Sequence, residues 1–334
     1  MTLTRFEVRD IQQMPDAERV WQNIVDNAPE AWSWHSWNTL ELTLAAAEAL
    51  HPENRSFFVY SADKVVGLVP LVTYYKEGGG RLASYHPAIG FLPSPVCIKG
   101  IDREEFEKFV FGELESRAGA GTFIKIRYTP PINTADEEVY IKKIVENFGY
   151  MPVEIRTHII KLAGGLPPIR DRFVRYYKKF SPLFDIAIVE GKEVTEEFAD
   201  SYRVLHEKDA GRVVRSAESY QRQADTARNA GFFVVATHKE TGRVGGMLLI
   251  AFYKNVGYDS SVAVDPHFDN LRVGIILKMA AIDELIKRDA AAYDLGPRAE
   301  LNKETEKERG IRLFKEGFTG GATRINWQLE KVVK

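Results

Sequence analysis

Between Gly231 and Asn255 the chain reads GFFVVATHKETGRVGGMLLIAFYKN: an apolar run, a polar turn from His238 to Gly242, and a second apolar run. Runs of this length, rich in Val, Ile and Phe and separated by turn-forming residues, spell the two strands of a hairpin. The pattern has an earlier counterpart from Arg55 to Tyr75, RSFFVYSADKVVGLVPLVTYY, with its turn at Ala62-Asp63-Lys64. An amphipathic helix is expected after each hairpin. In the first half Asp102 and Glu105 suit a capping box, and Phe106, Phe109, Val110 and Leu114 share a face. In the second half Leu271, Ile275, Met279, Ile282 and Ile286 repeat at helical spacing.

The parallel continues downstream. Short strands are expected at Phe123–Tyr128 (FIKIRY) and Ala291–Gly296 (AAYDLG). A helix follows each. The first is capped by Thr134 and Glu137, buries Ile141, Ile144, Val145 and Phe148, and closes at Gly149; the second runs from about Glu304 to Glu316 and stops at Gly317. Each half then finishes in a strand, PVEIRTHIIKL and ATRINWQLEK. One order of elements, repeated at an offset of roughly 170 residues, predicts an α/β protein of two domains of one plan. The Gly-Gly and Pro-Pro punctuation of GGLPPIRDRF, Gly164 to Phe173, sets the boundary, giving domains 1–165 and 166–334. Beyond it, Arg170 to Phe180 reads as a basic helix interleaved with aromatics, and Val194 to Ala210 as a further helix.

Composition agrees. The 334 residues are 45% hydrophobic and 28% charged, which excludes disordered, collagen-like and coiled-coil classes. A net charge of −2 excludes a chain-wide polybasic nucleic-acid binder, and no DNA partner is expected. The single Cys97 excludes a disulfide scaffold and reads as a buried packing residue. Early charges without a following apolar run argue against a signal peptide, and no stretch of about 18 apolar residues predicts a membrane span. A cytoplasmic protein is expected.

Several chemistries lack their residues. The seven histidines are scattered without ligand spacing, so no metal site is expected. No Walker A, GxGxxG or GxSxG pattern occurs. The three tryptophans Trp32, Trp34 and Trp37 alternate with polar residues and read as core or groove wall.

The succession YDSSVAVDP (258–266), amphipathic helix, YDLGP (293–297) and RLFKEGFTGG (312–321) resembles the closing section of FemAB-like transferases, tandem members of the GCN5-related N-acetyltransferase (GNAT) superfamily. SWHSWNTLELTL (33–44), RTHIIKL with RDRFVRYYKKF, and HEKDAGRVVRSAESY (206–220) resemble that family's substrate-side helix, interdomain connection and Arg-containing segment. The resemblance implies two GNAT-like domains, each a mixed twisted sheet flanked by helices. It implies transfer of an aminoacyl group from aminoacyl-tRNA, or of an acyl group from a carrier thioester such as acyl-CoA, to an amine-bearing small molecule or cell-wall precursor, with no tightly bound cofactor. By residue it implies that Lys315 holds the reacting carboxyl or oxyanion with Phe314 beside it. Arg215 and Tyr220 would contact the acceptor in a groove between the halves.

Two departures from the family pattern stand out: Glu41 stands near the place where a lysine is expected, and a long inserted helical arm has no room. The superfamily's pyrophosphate loop reads FDNLRVGIILK here (268–278), with Gly274 kept but Leu271 and Ile276 in place of a polar residue and a small one. A β-branched residue there would hinder close backbone approach, which disfavours acetyl-CoA and favours an aminoacyl ester on tRNA. An acyl-CoA N-acetyltransferase and a non-catalytic GNAT-like binding module stand as the alternatives.

Acyl transfer to an amine needs an oxyanion donor and a proton acceptor. Lys315 is the donor candidate. Asp259, Asp265 and Asp294 each sit at or just after an expected strand. Asp294 reads equally as a base or as the acceptor that fixes the Gly296-Pro297 turn, and Asp265, before Pro266, as a turn residue. Tyr258 either positions substrate or packs.

Overall fold

The computed structural model describes residues 6–75, 79–85, 90–128, 137–166, 168–298 and 304–334. It divides into two units, Met1–Glu154 with Asn326–Lys334, and Ile155–Ile325. That division differs from the boundary expected at Gly164. The chain changes unit inside a strand rather than at the Gly- and Pro-rich turn, and the closing residues return to the first unit.

The N-terminal unit opens with β1 (Phe6–Asp10), α1 (Ala17–Asn27) and α2 (Trp37–Ala46). Strands β2 (Glu53–Asn54), β3 (Phe57–Ser61), β4 (Lys64–Val69), β5 (Val72–Tyr75), β6 (Arg81–Ala83), β7 (Leu92–Pro93) and β8 (Val96–Cys97) follow. Then come α3 (Arg103–Ala118), β9 (Phe123–Tyr128) and α4 (Glu137–Phe148). The expected hairpin is β3–β4, turning at Ala62, which takes a φ of 53°. Asp102 caps α3 by accepting the Glu105 N–H at 3.0 Å, and Phe106, Val110 and Leu114 are buried as the spacing predicts. Thr134, expected to cap α4, lies outside the described residues. Trp32 is buried, and Trp34 and Trp37 make edge-on contacts with Phe91 and Trp21. Cys97 is buried, which pushes its thiol up to about 12.

The C-terminal unit takes most of β10 (Met151–Lys161), then α5 (Asp171–Phe180), β11 (Phe184–Val189), α6 (Glu196–Ala210) and α7 (Ala217–Asn229). The second hairpin is β12 (Gly231–His238) with β13 (Val244–Tyr253). After it come β14 (Val256–Val264), α8 (Val273–Lys287), β15 (Ala292–Pro297), α9 (Glu306–Thr319) and β16 (Thr323–Val332). Its strands lie in the order β11-β12-β13-β14-β15-β10, antiparallel except for the parallel pair β14–β15. One face packs on α8 and α9 through Leu248, Ile250, Tyr293 and Phe318; the other packs on α6 and α7 through Met247, Leu249, Tyr202 and Tyr220.

Four sequence expectations are revised. The shared order of elements omits β14, the strand on which the site stands. In α8, Ile286 is 40% exposed, whereas Ile276, Leu277, Ala281 and Leu285 are fully buried, because this helix is covered on more than one side. The closing strands are exchanged: β10 pairs with β15 in the C-terminal unit, and β16 pairs with β9 in the N-terminal one.

Finally, α9 does not stop at Gly317. It runs on to Thr319 and is capped by Gly320 at a φ of 60°. Gly317 is there for space: a Cβ would lie 2.2 Å from the Phe173 ring. Gly317→Ala is therefore expected to lower the unfolding free energy by about 1–3 kcal/mol through overpacking, despite alanine's better helix propensity. Urea denaturation measures it.

Candidate functional site

The parallel ladder between β14 and β15 is short. Val256 faces Ala292, Gly257 faces Tyr293 and Tyr258 faces Asp294, and there the pairing ends among the described residues. Beyond this point β14 continues along β13, while β15, paired with β10 from Ala292 onward, runs on to Pro297 along β10 alone. Two irregularities drive the strands apart. On β14 the register slips between Asp259 and Ser261, which face Ile250 and Leu249, leaving Ser260 as the extra residue of a bulge. On β15 the register slips between Asp294 and Pro297, and Gly296 in that step takes a φ of 86°. The result is an opening where the two strands cease to pair, bordered by Tyr258 and Asp259 on one strand and by Asp294 and Gly296 on the other.

Lys315 reaches this opening from α9. Its ammonium donates to the Pro297 carbonyl at 3.3 Å. It also lies 3.4 Å from where a Cβ on Gly296 would stand, and the Tyr258 hydroxyl lies 3.7 Å from the same point. Only glycine leaves that space clear between ammonium and hydroxyl. Upstream, Thr305 and Glu308 form a reciprocal capping box, and Arg312 ties Glu304 at 2.8 Å to Glu316 at 3.0 Å, which fixes the turn carrying Lys315. Phe314 packs on Phe173 and Phe318.

The electrostatics are compressed. Burial, and then the positive charge of Lys278, hold the Lys315 ammonium below the ordinary lysine range, while Asp259 and Asp294 pull the other way. Asp294 is 2% exposed, and burial raises its carboxyl above the usual range. Its Oδ1 accepts from the Thr157 hydroxyl and, at 2.7 Å, from the Gly296 N–H, so it does fix the turn. Asp259 is engaged by Lys278 in a buried ion pair. Asp265, by contrast, caps the turn after β14 and binds Lys208 at 2.8 Å and Arg243 at 3.0 Å, away from the opening.

Arg215 and Tyr220 belong to another cluster. Arg215 donates to Gln223 at 2.9 Å and stacks 5.1 Å above the Tyr220 ring. Tyr220 is 1% exposed and its hydroxyl meets His206 at 3.0 Å. This cluster fills the α6–α7 face and touches β14 through the Tyr202–Ser261 hydrogen bond. The structure thus gathers Lys315, Tyr258, Asp259 and Asp294 and places Arg215 and Tyr220 behind β14, with Tyr220 a core residue. Lys278 and Thr157 escaped the sequence reading. The first had a signal, a lone charge within an apolar helix. Among the described residues no three His, Cys, Asp or Glu side chains converge on a metal position.

A cleft of about 510 Å³ adjoins Phe314 at the start of α8, between Arg172 and Tyr176 of α5 and Arg272, Val273 and Gly274. The Ile275 N–H is taken by the Arg272 carbonyl, but the first two N–H groups of α8, those of Val273 and Gly274, have no intrahelical acceptor, and with Arg172 and Arg272 they suit an anion although Asp269 also lines the cleft. A Cβ on Gly274 would meet only Phe314, at 3.7 Å. Ile276, expected to obstruct this approach, is fully buried in the core and turned away from the cleft. The objection to a coenzyme A donor on that ground is withdrawn.

Residues 171–307 match the family model of an acetyltransferase (GNAT) domain. No curated protein matches the sequence. Among solved structures the chain is similar to FemX, with 11% identity and a TM-score of 0.68 over 98% of this chain and 97% of that one. It is similar to L-PGS from Bacillus licheniformis, with 13% identity and a TM-score of 0.56 over 86% and 90%. A tandem GNAT protein from the clavulanic acid biosynthesis pathway shares 13% identity and a TM-score of 0.50 over 98% of each chain. The fold is accordingly two GNAT folds in tandem.

Proposed function

We propose that this tandem GNAT protein transfers an acyl or aminoacyl group from a phosphate-bearing carrier to an amine, in the manner of FemAB-like enzymes. The observation that carries the reading is the Lys315 ammonium, held beside Gly296 and Tyr258 where β14 and β15 part. The amine nitrogen attacks the carbonyl carbon, the carbonyl oxygen becomes an oxyanion, and Lys315 stabilises it. With Asp259 engaged by Lys278, Asp294 is the carboxylate left to take the amine's proton. Collapse of the intermediate expels the carrier. The carrier's phosphates occupy the cleft at the start of α8. Incubation of the purified protein with radiolabelled acyl-CoA and with aminoacyl-tRNA, over a panel of amines, tests the reading; consumption of neither donor overturns it. The unobstructed cleft at Gly274 favours acyl-CoA as the second donor to try.

The two perturbed groups set the pH profile. Asp294 must be ionised, and its raised pKa puts the acid limb above the ordinary aspartate range. Lys315 must be charged, and its lowered pKa puts the alkaline limb below the ordinary lysine range. A plot of kcat/KM against pH is expected to be a narrowed bell. Asp294→Asn should remove the acid limb and leave the alkaline one.

A further inference from the structure

Lys315 meets the reacting carbonyl with an amine, and an amine is also a nucleophile. Among the described residues no carboxylate forms an ion pair with it. Asp259 is engaged by Lys278, and Asp294 by Thr157 and the Gly296 N–H, which leaves the Pro297 carbonyl, at 3.3 Å, as the acceptor of the Lys315 nitrogen. His158, beside Thr157 on β10, brings no counter-charge either. It is fully buried, and neither ring nitrogen has a hydrogen-bond partner among the described residues. Burial first, and then the Lys315 charge, push the imidazole down to about 4, so the ring is neutral; Glu316, Arg298 and Arg312 are further charges near it. Burial and the like charge of Lys278 favour the neutral amine of Lys315, and Asp259 and Asp294 oppose them. A lysine taken out of water beside another cation is an activated nucleophile. The residue is only half-buried, and the gap at Gly296 lets a carbonyl come against its nitrogen.

We infer that Lys315 is itself an acylation site: with a thioester or activated ester in the opening and no amine acceptor present, its nitrogen attacks the carbonyl carbon and the protein acylates itself. The bond formed is the amide C–N. The bond broken joins the carbonyl carbon to the carrier's sulfur or oxygen, and the proton lost by the nitrogen leaves on the carrier. The product carries no charge, so the oxyanion loses its ammonium and transfer stops. An arriving amine competes for the same carbonyl and protects the site. Lys315 is thus a brake that sets itself when donor is plentiful and acceptor scarce. The inference rests on the acyl-transfer reading for where the carbonyl lies; the reactivity of the nitrogen rests on its surroundings alone.

The test is acetylation of the full-length protein by p-nitrophenyl acetate and, separately, by acetyl-CoA, each without added amine, with the modified lysines identified over time by peptide mass spectrometry. Lys315 should react about 10-fold faster or more than the exposed Lys142 and Lys287, because the opening holds the carbonyl against it whereas the others meet it by diffusion. Its rate should level off at a pH below the ordinary lysine range. In Lys278→Met/Asp259→Leu it should rise, because Asp259 pulls on Lys315 more strongly than Lys278 pushes. Turnover should fall in proportion to the label on Lys315, and added amine should suppress that label. Equal reactivity of Lys315, Lys142 and Lys287 overturns the inference, as does turnover that survives complete acetylation of Lys315. Selective acetylation of Lys315 in a protein that transfers from neither donor upholds the site and ends the transferase reading. Transfer to amines with Lys315 left unlabelled in their absence does the reverse.

Discussion

Lys315→Met is expected to lower kcat by about 10²–10³-fold with KM little changed, the signature of a group that acts on the transition state more than on the bound substrate. Methionine keeps the stem and loses the charge, so packing beside Gly296 is retained and the oxyanion loses its ammonium. An exposed lysine would give a different answer, since its removal leaves turnover unaltered. Lys315 is half-buried and turned toward the end of the β14–β15 ladder, and its neighbours there are Pro297, Gly296 and Tyr258. Steady-state kinetics with the donor found active settles the point: an unchanged kcat ends the oxyanion role.

Lys278→Met is expected to cost the fold roughly 3–5 kcal/mol, a large part of the 5–15 kcal/mol by which domains are commonly stable. The reason is the partner left behind. Lys278 and Asp259 are 4% and 9% exposed, and removing one leaves a buried carboxylate without its counter-ion. Lys278→Met/Asp259→Leu should recover most of the loss, because an apolar pair of similar volume needs no compensation. Urea unfolding of the three variants gives the comparison. The same double variant separates two roles for Asp259: recovered stability with wild-type turnover makes it an anchor for Lys278 alone. Removing the Lys278 charge alone relieves Lys315 of a like neighbour, so the alkaline limb of the rate profile should move to higher pH in a folded Lys278→Met protein, whereas the double variant also loses the larger opposing pull of Asp259 and should move it to lower pH.

Local chemistry was legible where it is decided locally. The hairpins at Arg55 and Gly231, the Asp102 cap and the helix over Arg170 to Phe180 follow from periodicity and turn residues, and all are present. FKEGF pointed to Lys315, and the register of β14 with β15 brings Asp294 to Tyr258 beside it. What sequence could not supply was direction and partnership. Ile276 was judged by its type, but the phase of α8 turns it into the core. Tyr220 matched a substrate-binding position, yet its hydroxyl is engaged by His206. The opening itself arises from two register slips, which exist only once strands pair.

The exchange of closing strands also bears on the order in which the molecule can form. Arg127 on β9 reaches Gln328 on β16 across a sequence separation of 201. During synthesis the first unit therefore waits for a strand that leaves the ribosome after the whole of the second. Folding from the N-terminus onward is denied to this chain, and a ladder of such separation forms slowly. Until it does, β9 presents an open edge to other nascent chains.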